Sequence, residues 1–377
     1  MVSNVFLAGR EIRRAKLRFG LLAGAVGLLV FLILFQQALL GSLVKSFTGA
    51  IENQSATVLV YNAEARKNVA GSVIPSQQQA AVEAVDGVGA SAPFGEATFT
   101  IEAAGKLTAV SVFGFTPGGA GEPTRLVEGR LPESPTEAAA SKEDAGFTIG
   151  SIVTSVNGDV ELTVVGLTEE SRFSVAPTLW VTFDGFTALR LAANPDARAV
   201  LPSLIALTPA AGTTPEQLAQ RVNDDVPGVQ ALTRSQAVSE APNVAQVNQS
   251  FRLILGLAFL VVALVIGFFF LILTVQKLPA LTLLRAVGAP VGYLVRALLV
   301  QIAFVVMGGL VVGLALTVLA VKGASIGLPI ALSPSTAIGS ALGVIVLALL
   351  GSTVTLLRVA RIDPASVVNR PSLGGLA

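Results

Sequence analysis

The residues whose types could do acid–base chemistry are three adjacent carboxylate pairs, Glu143-Asp144, Glu169-Glu170 and Asp224-Asp225. General acid–base catalysis asks for a carboxyl whose pKa is set by its surroundings and for neighbours that position what it acts on. None of the three has such neighbours in the sequence, and each sits in a turn-like or helical surface context that a solvated face explains. The chain contains no histidine and no cysteine. That excludes disulfides, Cys- or His-ligated metals and Ser-His catalysis, leaving carboxylates, lysines and hydroxyls for any reaction. No GxxxxGK[ST] pattern occurs, so the chain does not bind and hydrolyse a nucleotide by that route. Gly87 and Gly89 are a fragment of a glycine loop without the strand and helix that would make it one, and they are read as a turn. The Asn-Gln-Ser triplets at Asn53 and Asn248 match the glycosylation pattern by chance. No catalytic centre is expected.

Composition points to another kind of protein. Of 377 residues, 53% are hydrophobic and only 13% charged, outside the range of an ordinary soluble domain. A bilayer must supply part of the solvent. The formal net charge of +1 hides a segregation: residues 44–250 hold 22 of the 24 acids and 12 of the 25 basic residues. Charges sorted by segment mark two sides of a membrane and not a nucleic-acid surface.

The stretch KLPALTLLRAVGAPVG, residues 277–292, is a short polar break between two apolar runs. Each run is long enough to cross a hydrocarbon core of about 30 Å as a helix. Lys277, Arg285 and the nearby Arg296 with no acid place this loop, by the positive-inside bias, in the cytoplasm. Pro279 is suited to the first turn of a short helix, and Gly288 with Pro290 would end it. Leu281, Leu284 and Gly288 recur at helical spacing beside Leu283 and Val287, giving a small apolar face under the membrane.

The remaining elements follow from that orientation. Residues 1–18 form a cytoplasmic amphipathic helix carrying Arg10, Arg13, Arg14, Lys16 and Arg18. The first transmembrane helix covers 19–44, too long for a signal-peptide core. Gly20 and Gly24 have a spacing that admits another helix closely, and Gln36 and Gln37 near its outer end want polar partners. A helical stalk at 45–55 leads to an extracellular α+β domain, 56–234, and a second stalk at 235–250 continues as a helix into the next span. Within the domain, alternation predicts strands at 56–61, 97–103, 107–115, 152–155, 160–167, 178–183, 204–207 and 229–232, and helices at 76–85 and 215–222. Asn157-Gly158 is the strongest two-residue hairpin signal. The second span is 251–275 and the cytoplasmic coupling loop 276–294. The third span is 295–321, an outer loop 322–336, the fourth span 337–357 and a cytoplasmic tail 358–377. The fold class is thus a membrane protein with four transmembrane helices and an α+β extracellular domain inserted between the first and second, in the cell membrane with both termini cytoplasmic.

This architecture, with LLRAVGA at 283–289, ARIDPASVV at 360–368 and VEGRLP at 127–132, resembles the FtsX-like/MacB-type permeases of ABC transporters. The opening REIRRAKLRF and the lysine-proline pattern of the loop resemble most the heme-exporter (HrtB-like) branch. The resemblance implies a homodimer of this chain bound to two copies of a separate cytoplasmic ABC ATPase, with no catalytic residue and no intrinsic cofactor in the chain itself. It implies that Lys277, Leu281, Leu284, Arg285, Val287 and Gly288 meet the ATPase. The Arg-Glu pair usual in the family's loop is replaced here by Pro279 and Ala280, which leaves shape contacts through Leu281, Leu284 and Val287. Nucleotide-driven motion would then reach the outer domain through the stalks and expel a hydrophobic cargo.

If that cargo is heme, the lack of histidine and cysteine leaves Tyr, Met or carboxylate as its ligand. Glu52, Gln36, Gln37, Asn248, Gln249 and Met307 lie near the expected outer boundary, and Glu52 is favoured because a dimer would present two of them. The alternative within the same architecture is a subunit that transports nothing and transmits ATPase motion to a cell-wall hydrolase.

Overall fold

The computed structural model describes residues 16–142, 146–156, 160–286, 290–323 and 334–360. It divides into two compact units, residues 42–249 and residues 1–41 with 250–377.

The unit 42–249 begins within helix α1, Lys16–Glu52, and is organised around strand β2, Val88–Ala103. The first part of β2 pairs antiparallel with β9 (Leu204–Pro209), which continues to β1 (Val58–Asn62) and β10 (Val229–Thr233). Its second part pairs antiparallel with β3, Lys106–Phe115. From β3 the sheet continues through β8 (Thr178–Thr182), β5 (Glu137–Ser141) and β7 (Glu161–Thr168) to β4 (Leu126–Gly129), with β6 (Ile152–Ser155) against β2 and β7. One long strand therefore serves two lobes. Helices α2 (Ser76–Glu83) and α4 (Pro215–Asp225) supply Val82, Leu218 and Val222 to the core under β1 and β9. Helix α3, Phe183–Ala193, supplies Phe186 and Leu189 to the core under β2 and β3. Gly95 and Gly114 are register partners, and a Cβ on Gly114 would lie 2.5 Å from the Phe186 side chain. Two missing side chains make the seat for that ring.

Most predicted elements are present, and three of the differences have physical causes. Strand β5, EAAAS, is buried along Ala138–Ser141 between β7 and β8, so small side chains covered on both faces replace the alternation that would have revealed it. The strand predicted over 178–183 stops at Thr182, whose side chain accepts from the Gly185 N–H at 3.1 Å and caps α3. The second stalk is not continuous. Helix α5, Arg234–Ser239, ends at Glu240, and helix α6 starts at Pro242, because proline fits a first turn and pushes the preceding Ala241 out of the helical region. Strands β6 and β7 are antiparallel neighbours as a hairpin requires; residues 157–159, with Asn157-Gly158, lie outside the described residues.

VEGRLP has a structural account here. Gly129 adopts φ +75°, and a Cβ there would collide with the Val165 carbonyl oxygen. Arg130, next in line, forks onto the Glu137 carboxylate.

In the other unit, four helices among the described residues contain segments long and apolar enough to cross a membrane: Lys16–Glu52, Pro242–Gln276, Leu298–Gly323 and Pro334–Gly351. These belong to α1, α6 (Pro242–Ala286), α7 (Val291–Gly323) and α8 (Pro334–Ala360). Val26, Ile33, Ile266, Phe270, Val305 and Val344 are buried where the helices meet, while Leu28, Leu253, Leu319 and Leu350 are exposed, as suits a protein whose outer solvent is lipid. The close approach is made by Gly27, Gly309 and Gly313, whose added Cβ atoms would lie 2.6–2.7 Å from Val312, Val26 and Val30. Gly20 and Gly24 face open space within the chain. A separate short helix starting at Pro279 is not formed: α6 runs unbroken to Ala286, since one lost donor inside 45 residues leaves the hydrogen bonds on either side intact.

Candidate functional site

The site with most structure lies within the unit 42–249, where the end of α1 meets the loop 169–176. The Ala50 N–H donates to the Arg172 carbonyl at 3.1 Å, while the Ser46 and Phe47 carbonyls accept from the Val175 and Ser174 N–H groups at 2.8 and 3.1 Å. An unbroken α-helical ladder assigns the Ser46 carbonyl to Ala50. The loop is thus spliced into the helix. Ser46 and Thr48 also bond back to the Ser42 and Val44 carbonyls, at 2.9 Å each, a habit that loosens helices. Gly49 is required for the approach, since a Cβ there would lie 2.5 Å from the Glu170 carbonyl oxygen.

The loop's backbone is strained to make this fit. Glu170, Ser174 and Val175 have φ of 50°, 49° and 66°, and such conformations cost on the order of 1–3 kcal/mol each for non-glycine residues. Side chains hold it there. Glu170 accepts from Lys45 at 2.7 Å and from Arg125 at 2.5 Å, and the Asn53 amide donates to the Glu170 carbonyl at 2.8 Å. The hydrogen bond from Lys45, followed by that from Arg125, holds the Glu170 carboxyl below the usual carboxylate range against the opposing effect of burial. Glu169-Glu170 is therefore not simply a solvated pair. Asp224 and Asp225 are exposed at the end of α4, and residues 143–145 lie outside the described residues.

The residues expected to contact cargo are dispersed. Glu52 is exposed at the end of α1, close enough to add the smallest of the favourable charges that hold Arg125 protonated, the largest being the Glu170 hydrogen bond. Asn248 is half-buried and Gln249 exposed. In the apolar unit, Gln36 donates to the Phe251 carbonyl at 3.4 Å, and Gln37 accepts from Ser340 at 3.0 Å; Met307 is exposed. Both amides thus find protein partners. Of the coupling residues, Lys277, Leu281, Leu284 and Arg285 lie on the last turns of α6, whereas Val287 and Gly288 lie outside the described residues. Among the described residues, no group of three or more acidic side chains could hold a metal ion.

One further titratable group escaped the sequence reading. Glu96 on β2 is only 5% exposed, and its Oε2 has no hydrogen-bond partner among the described residues. Burial pushes its carboxyl up to about 7, with the charge of Arg190 opposing.

A family model described as the FtsX-like permease C-terminal domain matches residues 252–364. The C-terminal part of this chain is an FtsX-like permease domain. A relative of the permease in Staphylococcus haemolyticus, whose name assigns it to hemin transport as HrtB, is 23% identical over 96% of this chain and 98% of its own length. An ABC transporter permease of Mycobacterium tuberculosis is 26% identical over 97% of this chain and all of its own. The periplasmic region of MacB from Actinobacillus actinomycetemcomitans aligns with 49% of the permease and 92% of its own chain, at 9% identity and a TM-score of 0.35. The permease is a membrane subunit of an ABC transporter, a class that works with a partner ATPase.

Proposed function

We propose that the permease expels a hydrophobic cargo by mechanical transmission, as a homodimer with two copies of a separate ATPase in the cell membrane. Both termini and the end of α6 lie in the cytoplasm, and the α+β domain lies outside. The observation that carries this reading is α1, one helix of 37 residues that counts with the apolar helices through Gly41 and with the α+β domain from Ser42. No loop intervenes between the apolar part of this helix and its part in the α+β domain. The basic residues Lys277, Arg285 and Arg296 support the cytoplasmic assignment of that end.

Contact with the ATPase falls to Leu281 and Leu284, with Lys277 and Arg285 beside them. Replacing both leucines by aspartate removes the apolar grip, and truncating a central apolar anchor commonly costs about 2 kcal/mol or more, roughly thirtyfold in affinity. The double variant should insert normally and lose co-purification with the ATPase; full co-purification would place the contact elsewhere.

Heme is the cargo we propose, on the strength of the relative named for hemin transport. Deleting the gene should sensitise cells to hemin more than to macrolides or antimicrobial peptides. Unaltered sensitivity to all three, with a cell-separation defect, would favour transmission to a cell-wall hydrolase.

A further inference from the structure

The chain enters the α+β domain along α1 and leaves it along α5 and α6, and each route carries a local irregularity. The first is the spliced segment Ser46–Ala50 within the continuous helix α1. The second is the break at Glu240 and Ala241. One cavity separates them, walled by Phe47 and Ile51 of α1 and by Phe173 and Ser174 of the spliced loop on one side, and by Ala241 and Pro242 on the other.

Its size decides what it can be. The volume is about 50 Å³, against roughly 300 Å³ or more for a pocket that holds a drug-sized ligand. That excludes a cargo molecule. Interiors are close-packed, so this void leaves room for the two segments that bound it to shift. Across its rim the Lys67 ammonium meets the Glu240 carboxylate at 2.5 Å, from a turn in which Arg66 and Lys67 have φ of 50° and 66°. Both partners are partly exposed, at 33% and 41%, so the pair is a weak clasp that opens readily.

We propose that this cavity is the axis of a two-helix joint, about which α1 at Ser46–Ala50 and the α5–α6 break flex together, with Lys67–Glu240 as its clasp. Hinges are a few element-terminal residues that absorb the backbone change, and Ala241, held out of the helical region by Pro242, is such a residue. Rearrangement of the splice exchanges the Ser46 carbonyl between Val175 and Ala50, so the acceptor keeps a donor in both arrangements. The joint rests on the transmission reading and adds to it the place where the domain yields.

Hydrogen exchange on the intact chain in nanodiscs tests the joint without the ATPase. The Val175 amide reports the splice and the Ala245 amide, bonded to the Ala241 carbonyl at 2.9 Å, reports the break. Lys67→Ala should accelerate exchange at both by about fivefold or more, and Lys67→Arg should restore both. Acceleration at Ala245 alone, or at neither, would overturn the proposal. Because the chain has no cysteine, Lys67→Cys with Glu240→Cys introduces a unique thiol pair. With the ATPase bound, that pair should oxidise about tenfold faster or more in one of the nucleotide-free and vanadate-trapped states than in the other. Equal rates would remove the joint from the power stroke. Failure of any ATPase to bind would count against the transmission reading alone, with exchange still deciding the joint.

Discussion

The Val175 N–H lies 2.8 Å from the Ser46 carbonyl oxygen, joining a strained loop to the ladder of the helix that runs on from the first apolar segment. A β-branched residue at φ 66° is a genuine outlier, and it persists because Lys45, Arg125 and Asn53 all hold Glu170, earlier in the same loop. The loop is thereby bonded to the helix along one turn. Four features can be measured on the intact chain.

Gly49→Ala puts a methyl 2.5 Å from a backbone oxygen that cannot rotate away. Overpacking of this kind costs about 1–3 kcal/mol. Gly41→Ala in the same helix meets open space and, by helix propensity, should be neutral or mildly stabilising. Thermal unfolding in detergent should separate the two; equal midpoints would mean that the loop does not press on the helix.

Glu96 makes stability depend on pH. Its folded pKa, about 7, lies above the ordinary value, so the folded state binds the extra proton and stability declines as pH rises from about 4.5 to 7. The full difference is on the order of 3 kcal/mol. Glu96→Gln should flatten that decline and stabilise the protein at about pH 8, read as the unfolding midpoint on either side of the titration. A wild-type midpoint independent of pH would mean that the carboxyl finds a partner.

Arg130 and Glu137 act in the opposite direction. The Arg130 hydrogen bond, with backbone N–H donors of Glu133 and Ser134, holds the Glu137 carboxyl down to about 2. Its contribution is present above about pH 4.5 and is lost as pH falls toward 2. The pair is substantially exposed on the arginine side, at 51%, so solvent screens it and its worth is small. Glu137→Gln should lower the midpoint near neutral pH by at most a few degrees and lower it much less near pH 2, where about half of the wild-type carboxyl is itself protonated. An equal loss at both pH values would mean that packing, not charge, is what the substitution disturbs.

For heme, Glu52→Ala is the informative change, since Glu52 is exposed at the end of α1. Titration of the purified permease with hemin should show about tenfold weaker binding or more, with an altered absorption band. An unchanged spectrum and affinity would confine Glu52 to the charge cluster around Arg125.

The strands read at 107–115, 152–155 and 160–167 were legible because their outer and inner faces alternate, or because their apolar runs end at turn residues. Strand β5 was not. Its first residue is Glu137, and the four that follow, Ala138 to Ser141, are all small and buried, a pattern that carries no period. Gly20 and Gly24 had the helix-packing spacing, yet Gly27 and Gly309 make the contact, because spacing says that a helix can be approached and not from which side.

From the sequence alone came the membrane class, four apolar segments, the sorting of charge to two sides and the exclusion of thiol and imidazole chemistry. These depend on composition and on local periodicity, which neighbours in the chain already contain. Tertiary structure alone decided that Ser46 meets Val175, that Lys67 reaches Glu240, and that Glu96 is shut away from water. Lys67 and Glu240 are 173 positions apart, and no local propensity encodes such a relation; it exists only once the sheet has brought its distant strands together.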